Sequence, residues 1–496
     1  MSTTGVRYTE PAGRWVLLAT VLGSGMAFID ATVVNIALPK IGHQFHASAA
    51  DLQWTVNGYT LTLAALILLG GSLGDRFGRR RVFVIGVSWF AVASLLCGIA
   101  PNIETLIAAR ALQGIGGALL TPGALAILES SFDPDDRSRA IGAWSGLGGI
   151  AGAVGPFLGG WLVQVATWRL VFLINLPMAA VVIVVALRHV PESVDPTAAH
   201  RVDAAGAVLG AIGLAGLTYG FTAWPDRGPG SPVVLGSLLI GVAGLVGFVL
   251  VEQRSSHPML PLGLFRSAAF AAANLVTFAV YAALGGVFFL VVINLQVVSG
   301  FSPLKAGIAL LPVTVLMLLL SARAGALAGR IGPRLPMTVG PIVCAVGLLG
   351  LARIGAHASY IRTVLPPVVV LGLGLSLTVA PLTATAMSAA EERYAGVASG
   401  VNNAVARAAG LLAVAVLPLA AGLGSGSLTN AASLHPAYRN AMLICAGLLL
   451  VGAAIAFALI GQPGAKAGSP RHTYCAVTGP PLQPARPGPP AAPGGR

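Results

Sequence analysis

The chain has 496 residues, of which 56% are hydrophobic and only 9% charged, with a mean hydropathy of +0.85. A soluble globular protein carries charged residues at about 25%, so this composition excludes one and predicts an all-α polytopic membrane protein. The 64 glycines favour helices packed through small residues over an outer-membrane barrel, whose strands alternate apolar and polar positions.

A spanning helix needs about 20 apolar residues. Apolar runs bounded by turn and charge signals predict six spans at about 15 to 38, 52 to 73, 82 to 100, 105 to 128, 139 to 163 and 169 to 190. Two more follow at about 203 to 223 and 233 to 252, and a last six at about 271 to 298, 304 to 328, 334 to 354, 363 to 388, 396 to 421 and 439 to 460. The total is fourteen. The first run follows Arg7 and Arg14 as a signal peptide would, but its length and the enclosed Asp30 identify a retained helix. The expected organisation is an N-terminal cytoplasmic segment (1–14), a six-helix bundle (15–190), an inserted helix pair with its loops (191–265), a second six-helix bundle (266–460) and a proline-rich disordered tail (461–496).

The net charge of +13 takes its meaning from where the charges fall. With both termini in the cytoplasm, most Lys and Arg fall in cytoplasmic segments, as the positive-inside rule requires. The basic balance is then topological; the expected partners are the lipid bilayer, a small organic substrate and protons, with no nucleic acid, and the chain is expected to act as a monomer. Cys97, Cys344 and Cys445 lie in apolar runs and Cys475 in the tail, without metal-ligand spacing. No metal or cofactor is expected.

Between spans two and three stands Gly71-Ser-Leu73-Gly-Asp75-Arg76-Phe-Gly78-Arg79-Arg80-Arg81; between spans ten and eleven stands Gly325-Ala-Leu-Ala-Gly329-Arg330-Ile-Gly332-Pro-Arg334. Their equal position predicts two related six-helix halves, with a substrate site at the interface near the midplane and transport by rocking one half against the other. Asp75 is read as a gate latch, able to hold a helix N-terminus or an arginine across that interface.

Asp30 is the one acid well inside a predicted span, where a carboxylate costs about 2.5 to 3.5 kcal/mol on insertion scales. At about 1.5 Å per residue it lies about 12 Å, and Arg110 about 8 Å, below the external surface, so the two can meet. A buried ion pair that only fixes packing is one reading. The other makes Asp30 the proton carrier, with Arg110, which stays protonated, and Gln113, one turn on, modulating it. In span five, Gly155, Pro156, Gly159 and Gly160 continue a nearly bare helix face that begins at Gly142, suited to tight packing and a bend. Arg407, about 16 Å into span thirteen, follows Asn402 and Asn403 without an obvious acidic partner. Asn35, Trp54, Tyr59, Tyr281, Asn403 and Arg407 are candidate pocket residues, and Phe28, Phe278, Phe288 and Phe289 are aromatic candidates for its walls. Arg323, near the inner end of span ten, is expected to snorkel.

The Asp75 loop is similar to the cytoplasmic signature G-x-L-a-D-R-x-G-R-R of the major facilitator superfamily, matched by Gly71, Leu73, Asp75, Arg76, Gly78, Arg79 and Arg80. The run around Arg110, Gln113, Gly114, Gly116 and Gly117 resembles that superfamily's fourth-helix motif, in which the arginine is linked to proton transfer. The run from Gly155 to Gly160 resembles the fifth-helix antiporter motif, with Ala151 where glycine is usual. Asp30-x-Thr32-Val-Val-Asn35-x-Ala37-Leu38-Pro39, together with Trp168-Arg169, Asn175 and Pro177, resembles the fourteen-helix drug:proton antiporter branch. In the second repeat Gly329 replaces the loop acid. The resemblance implies a secondary active transporter of the cell membrane in which inward proton flow drives an amphipathic drug or antibiotic outward. A proton- or sodium-coupled uptake symporter is the alternative, and an integral membrane enzyme a remote one, lacking an aspartate-rich diphosphate site or paired intramembrane histidines.

Overall fold

A computed structural model describes residues 5–194, 203–255, 258–389, 395–423 and 428–461. Fourteen helices among the described residues are long and apolar enough to cross a membrane. In chain order they are α1 (Pro11–Phe45), α2 (Ala49–Phe77), α3 (Arg79–Gly98), α4 (Ile103–Ser131), α5 (Pro134–Val165), α6 (Leu170–His189), α7 (Ala204–Arg227), α8 (Pro232–Arg254), α9 (Ala268–Val297), α10 (Pro303–Ile331), α11 (Arg334–Leu351), α12 (Tyr360–Ser388), α13 (Ala395–Ala420) and α14 (Ala431–Leu459). The proline-rich tail expected from the sequence, with Cys475, lies outside the described residues.

The helix ends follow local chemistry. Ser48 and Asp51 form a reciprocal capping box at the start of α2, and Asn102, Ser302 and Asn430 accept backbone N–H groups at the starts of α4, α10 and α14. Proline decides less than the sequence suggests. The first helix does not stop before Pro39 but continues to Phe45; in the turn that Pro39 disturbs, the Ile36 carbonyl accepts from Gln296 of α9 at 3.1 Å. Asp30 therefore lies near the middle of α1 rather than in its outer third. Span ten is broken at Leu310, before Pro312, and span twelve opens with a π-helical turn over Tyr360–Val364.

Helices α1 to α6 and α9 to α14 form the two large helical groups, and the repeat seen in the sequence has the same backbone consequence in both: α2 ends at Gly78 with φ 109° and α10 ends at Gly332 with φ 88°. L side chains rarely adopt this conformation, which accounts for glycine at each turn. The groups close on each other at the end of the bundle away from the Asp75 loop. There a Cβ on Gly160 would stand 2.7 Å from the Leu304 Cα, and one on Gly307 2.3 Å from the Pro156 carbonyl oxygen. Toward the loop end, Gly142, Gly146 and Gly152 of α5 and Gly329 of α10 have open space where a Cβ would be. The glycine face of α5 is thus tightly packed over its Gly155–Gly160 half and also meets Phe28 at Gly148.

The inserted pair α7 and α8 packs together, with a backbone-close crossing at Gly216 and Gly241. Helix α7 also lies against both α2 and α13, so it spans the seam between the two groups on one side. Tyr219 of α7 meets Trp54 of α2 with ring centroids 6.1 Å apart.

Candidate functional site

The carboxylate of Asp30 is enclosed, with the residue 1% exposed. Its Oδ2 accepts from Arg110 Nη1 at 2.6 Å and its Oδ1 from Gln113 Nε2 at 2.9 Å. Arg110, also 1% exposed, donates from Nη1 to Gln113 Oε1 at 2.6 Å and from Nε to the Thr55 carbonyl at 3.0 Å. The structure thus brings together the three residues that the sequence nominates from α1 and α4. It adds an outer layer that the sequence reading did not assign. Ser94 of α3 accepts from Gln113 Nε2 at 2.8 Å and from Asn175 Nδ2 of α6 at 3.2 Å, and Cys97 Sγ stands 3.6 Å from Gln113 Oε1.

The network draws on α1, α2, α3, α4 and α6, so one charge pair ties most of the first group around a single point. A buried charge pair is stable only where the remaining donors and lone pairs are also met, and the Thr55 carbonyl and the Gln113 amide meet them. The faces of the guanidinium are occupied too: its Cζ lies 4.4 Å from the Tyr59 ring centroid and 5.6 Å from that of Phe172. Tyr59 is consequently buried packing over Arg110, not an open pocket wall. Nearby Asn57 is wholly buried, and both its amide atoms lack a hydrogen-bond partner.

The other pocket candidates are scattered. Trp54 packs on the inserted helix α7. Phe278 and Phe288 are exposed on α9, and Phe289 is in the core. Phe28 packs on Gly148 across α1 and α5. Tyr281, Asn403 and Arg407 are half-buried. Tyr281 and Arg407 sit about one turn before the place where α9 and α13 touch, a Cβ on Gly285 falling 2.8 Å from the Gly410 Cα. Arg407 makes no ion pair among the described residues, whereas Asn402 beside it is taken up by Asn274 at 3.2 Å and Thr277 at 2.7 Å. Asn35 is half-buried in α1, its Oδ1 unpartnered. At the closed end, a cavity of about 690 Å³ is lined by residues of both groups, including Lys40, Gln44, Trp168 and Gln296.

The Asp75 loop is arranged differently from the expectation of a contact across the interface. Asp75 pairs with Arg79 in its own loop at 2.8 Å. The partner from elsewhere is Glu192, whose carboxylate accepts the backbone N–H groups of Arg80 at 3.0 Å and Arg81 at 3.2 Å and lies 3.6 Å from the Arg80 side chain. Glu192 thus caps the N-terminus of α3, and the loop is fastened to the segment after α6 of the same group. Arg323 is exposed on α10.

The family model for the Major Facilitator Superfamily matches residues 20–414. The tetracenomycin C resistance and export protein of Streptomyces glaucescens is 38% identical over 419 residues, covering 83% of this chain and 78% of that one. The puromycin resistance protein of Streptomyces alboniger is 34% identical over 467 residues, covering 91% and 92%. Among solved structures, a POT family transporter in complex with a thioalcohol-conjugated peptide superposes with a TM-score of 0.69 at 14% identity, covering 91% and 97%, which shows a shared fold. Fourteen membrane-capable helices, two groups related by a repeated loop and the extent of these matches lead to one conclusion: this chain is a multi-pass membrane transporter that belongs to the Major Facilitator Superfamily.

Proposed function

We propose that the protein is a proton-coupled antiporter that exports amphipathic drugs or antibiotics by alternating access. The observation that carries this reading is the enclosed carboxylate of Asp30, held between Arg110 and Gln113 in a spanning helix. An intramembrane acid is costly and marks an ion or proton pathway by default, and the relatives, named for resistance to and export of tetracenomycin C and for resistance to puromycin, supply the cargo class. With the Asp75 loop and both termini in the cytoplasm, as the distribution of basic residues favours, the closed end is external and the conformation faces inward.

In this mechanism Asp30 is sealed while the external end is shut. Reopening that end brings water to α1; a proton arriving on Asp30 removes the charge that Arg110 holds, and the pair loosens. Return to the inward-facing form releases the proton into the cytoplasm and restores the pair. Asn35, Tyr281, Asn403 and Arg407 belong to the surfaces that meet substrate, and the Asp75 loop resets its contacts as the halves rock.

The test uses everted membrane vesicles with an imposed proton gradient and a fluorescent amphipathic substrate. Wild type is expected to accumulate substrate and to release lumenal protons when substrate is added. Asp30→Asn, inserted at equal level, is expected to do neither. Gradient-driven accumulation retained by Asp30→Asn overturns the carrier role.

A further inference from the structure

The sequence reading finds one acid well inside a span, yet the structure encloses a second. Glu252, in the last turn of α8, is 3% exposed. Its Oε2 accepts from the Leu260 N–H at 3.0 Å, and its Oε1 has no hydrogen-bond partner among the described residues. Near it is Asp203, the N-cap of α7, whose Oδ1 accepts from the Gly206 N–H at 2.8 Å while Oδ2 has no partner among the described residues. Both unpartnered oxygens converge on the bare Gly206: a Cβ there would stand 2.8 Å from Glu252 Oε1 and 3.1 Å from Asp203 Oδ2.

We propose that Glu252 and Asp203 share one proton, forming a proton-binding site in the inserted hairpin that is separate from Asp30. Two ionised carboxylates present four oxygens and no hydrogen; two of those oxygens receive backbone N–H groups, and the remaining two, with no donor among the described residues, lie 2.8 and 3.1 Å from one point, the Cβ position of Gly206. A carboxylate carries no donor, whereas its protonated form carries one, so a single proton supplies the missing hydrogen. Neighbouring carboxylates that share a site do not both ionise readily, and no described Lys or Arg forms an ion pair with either acid. Arg254, on the same turn of α8, is exposed. Helices α2 and α13, packed on α7, contribute no side chain bonded to the pair among the described residues. Arg201 and His257 flank it in sequence and lie outside the described residues.

The location gives the proton an effect beyond the hairpin. Leu260, tied to Glu252, packs with Leu264 and Phe270 against Ala398 and Val401 of α13. The site therefore anchors the strand of chain that enters the second group to the helix that meets α2 across the seam.

The experiment is infrared spectroscopy of the full-length protein in lipid bilayers near neutral pH, reading the carbonyl stretch of protonated carboxyl groups and its shift on deuterium exchange. Wild type and Asp30→Asn are both expected to show a band that Glu252→Gln and Asp203→Asn each remove. Either amide supplies the missing donor, so both variants are expected to fold. A band untouched by these two substitutions overturns the proposal. So does a band that appears only after divalent cations are chelated, or only in Arg201→Gln or His257→Gln, since a cation or a basic side chain then takes the proton's place.

Discussion

Asp30 Oδ2 and Arg110 Nη1 meet at 2.6 Å, each residue 1% exposed, and the arginine is held from three directions at once. Its Nε reaches the Thr55 carbonyl, its Nη1 is divided between Asp30 and Gln113, and Tyr59 covers its face. A planar fork satisfies such an arrangement; an ammonium on a flexible stem does not.

Removing the guanidinium leaves a buried carboxylate without its countercharge, a change that costs about 3 to 5 kcal/mol in buried pairs. Arg110→Ala is therefore expected to lower the melting temperature of the detergent-solubilised protein clearly. Arg110→Lys is expected to recover only part of it, because Lys cannot reach Thr55 and Asp30 together. Asp30→Asn/Arg110→Gln is expected to be more stable than Arg110→Ala yet still unable to couple. Tryptophan fluorescence during heating reads the first two; the vesicle assay reads the third. An Arg110→Ala protein as stable as wild type would show that the pair carries no structural weight.

At Gly78 two penalties coincide. The left-handed φ of 109° costs a residue with a Cβ about 1 to 2 kcal/mol, and that Cβ would lie 2.7 Å from Glu192 Oε1, the oxygen that caps Arg80. Gly78→Ala is expected to release the cap and expose the loop. Limited trypsin digestion at Arg79, Arg80 and Arg81 measures this, with faster cleavage than wild type expected. Glu192→Gln, which keeps one acceptor oxygen for the two N–H groups of Arg80 and Arg81 and loses the charge at the α3 N-terminus, is expected to accelerate cleavage less.

Which parts of this arrangement are visible in the sequence follows from how far each signal reaches. Charge inside an apolar run is a local signal, so Asp30 and Arg110 stand out before any folding is considered. The loop repeat is visible because glycine is needed at one left-handed turn in each half. Ser94, Cys97 and Thr55 carry no such mark: small polar residues are common in spans, and only the packing of α2, α3 and α4 shows that these three surround Gln113 and Arg110. Tyr59 looks like a pocket aromatic until its ring is seen over Arg110. Glu252 is hidden for a different reason. It stands two residues from a helix end, where an acid in the sequence is normally solvated, and only the return of the chain through Leu260 encloses it. Pro39 reads as a stop because proline usually ends helices; here a glutamine from the other group supplies a donor in the same turn.

The closed end depends on the absence of side chains at two positions, which makes it testable by adding them. A Cβ on Gly307 would fall 2.3 Å from the Pro156 carbonyl oxygen, and one on Gly160 2.7 Å from the Leu304 Cα; both obstacles are backbone and cannot rotate away. Overpacking of this kind costs about 1 to 3 kcal/mol, and the form with this end open does not bear the cost. Gly307→Val is accordingly expected to move the population toward that form by roughly 5- to 150-fold. Gly152→Val, facing open space about two turns from Gly160 on the same helix, serves as the control with little effect. The readout is maleimide labelling of a cysteine placed at Gln296, whose amide bonds α1 across the seam. Cys97, Cys344 and Cys445 are buried, which keeps their background low, and Cys475→Ser in all three proteins removes the fourth thiol. Faster labelling in Gly307→Val than in wild type, with Gly152→Val unchanged, is the expected order. Equal rates in all three would mean that contact between α5 and α10 does not control closure at this end.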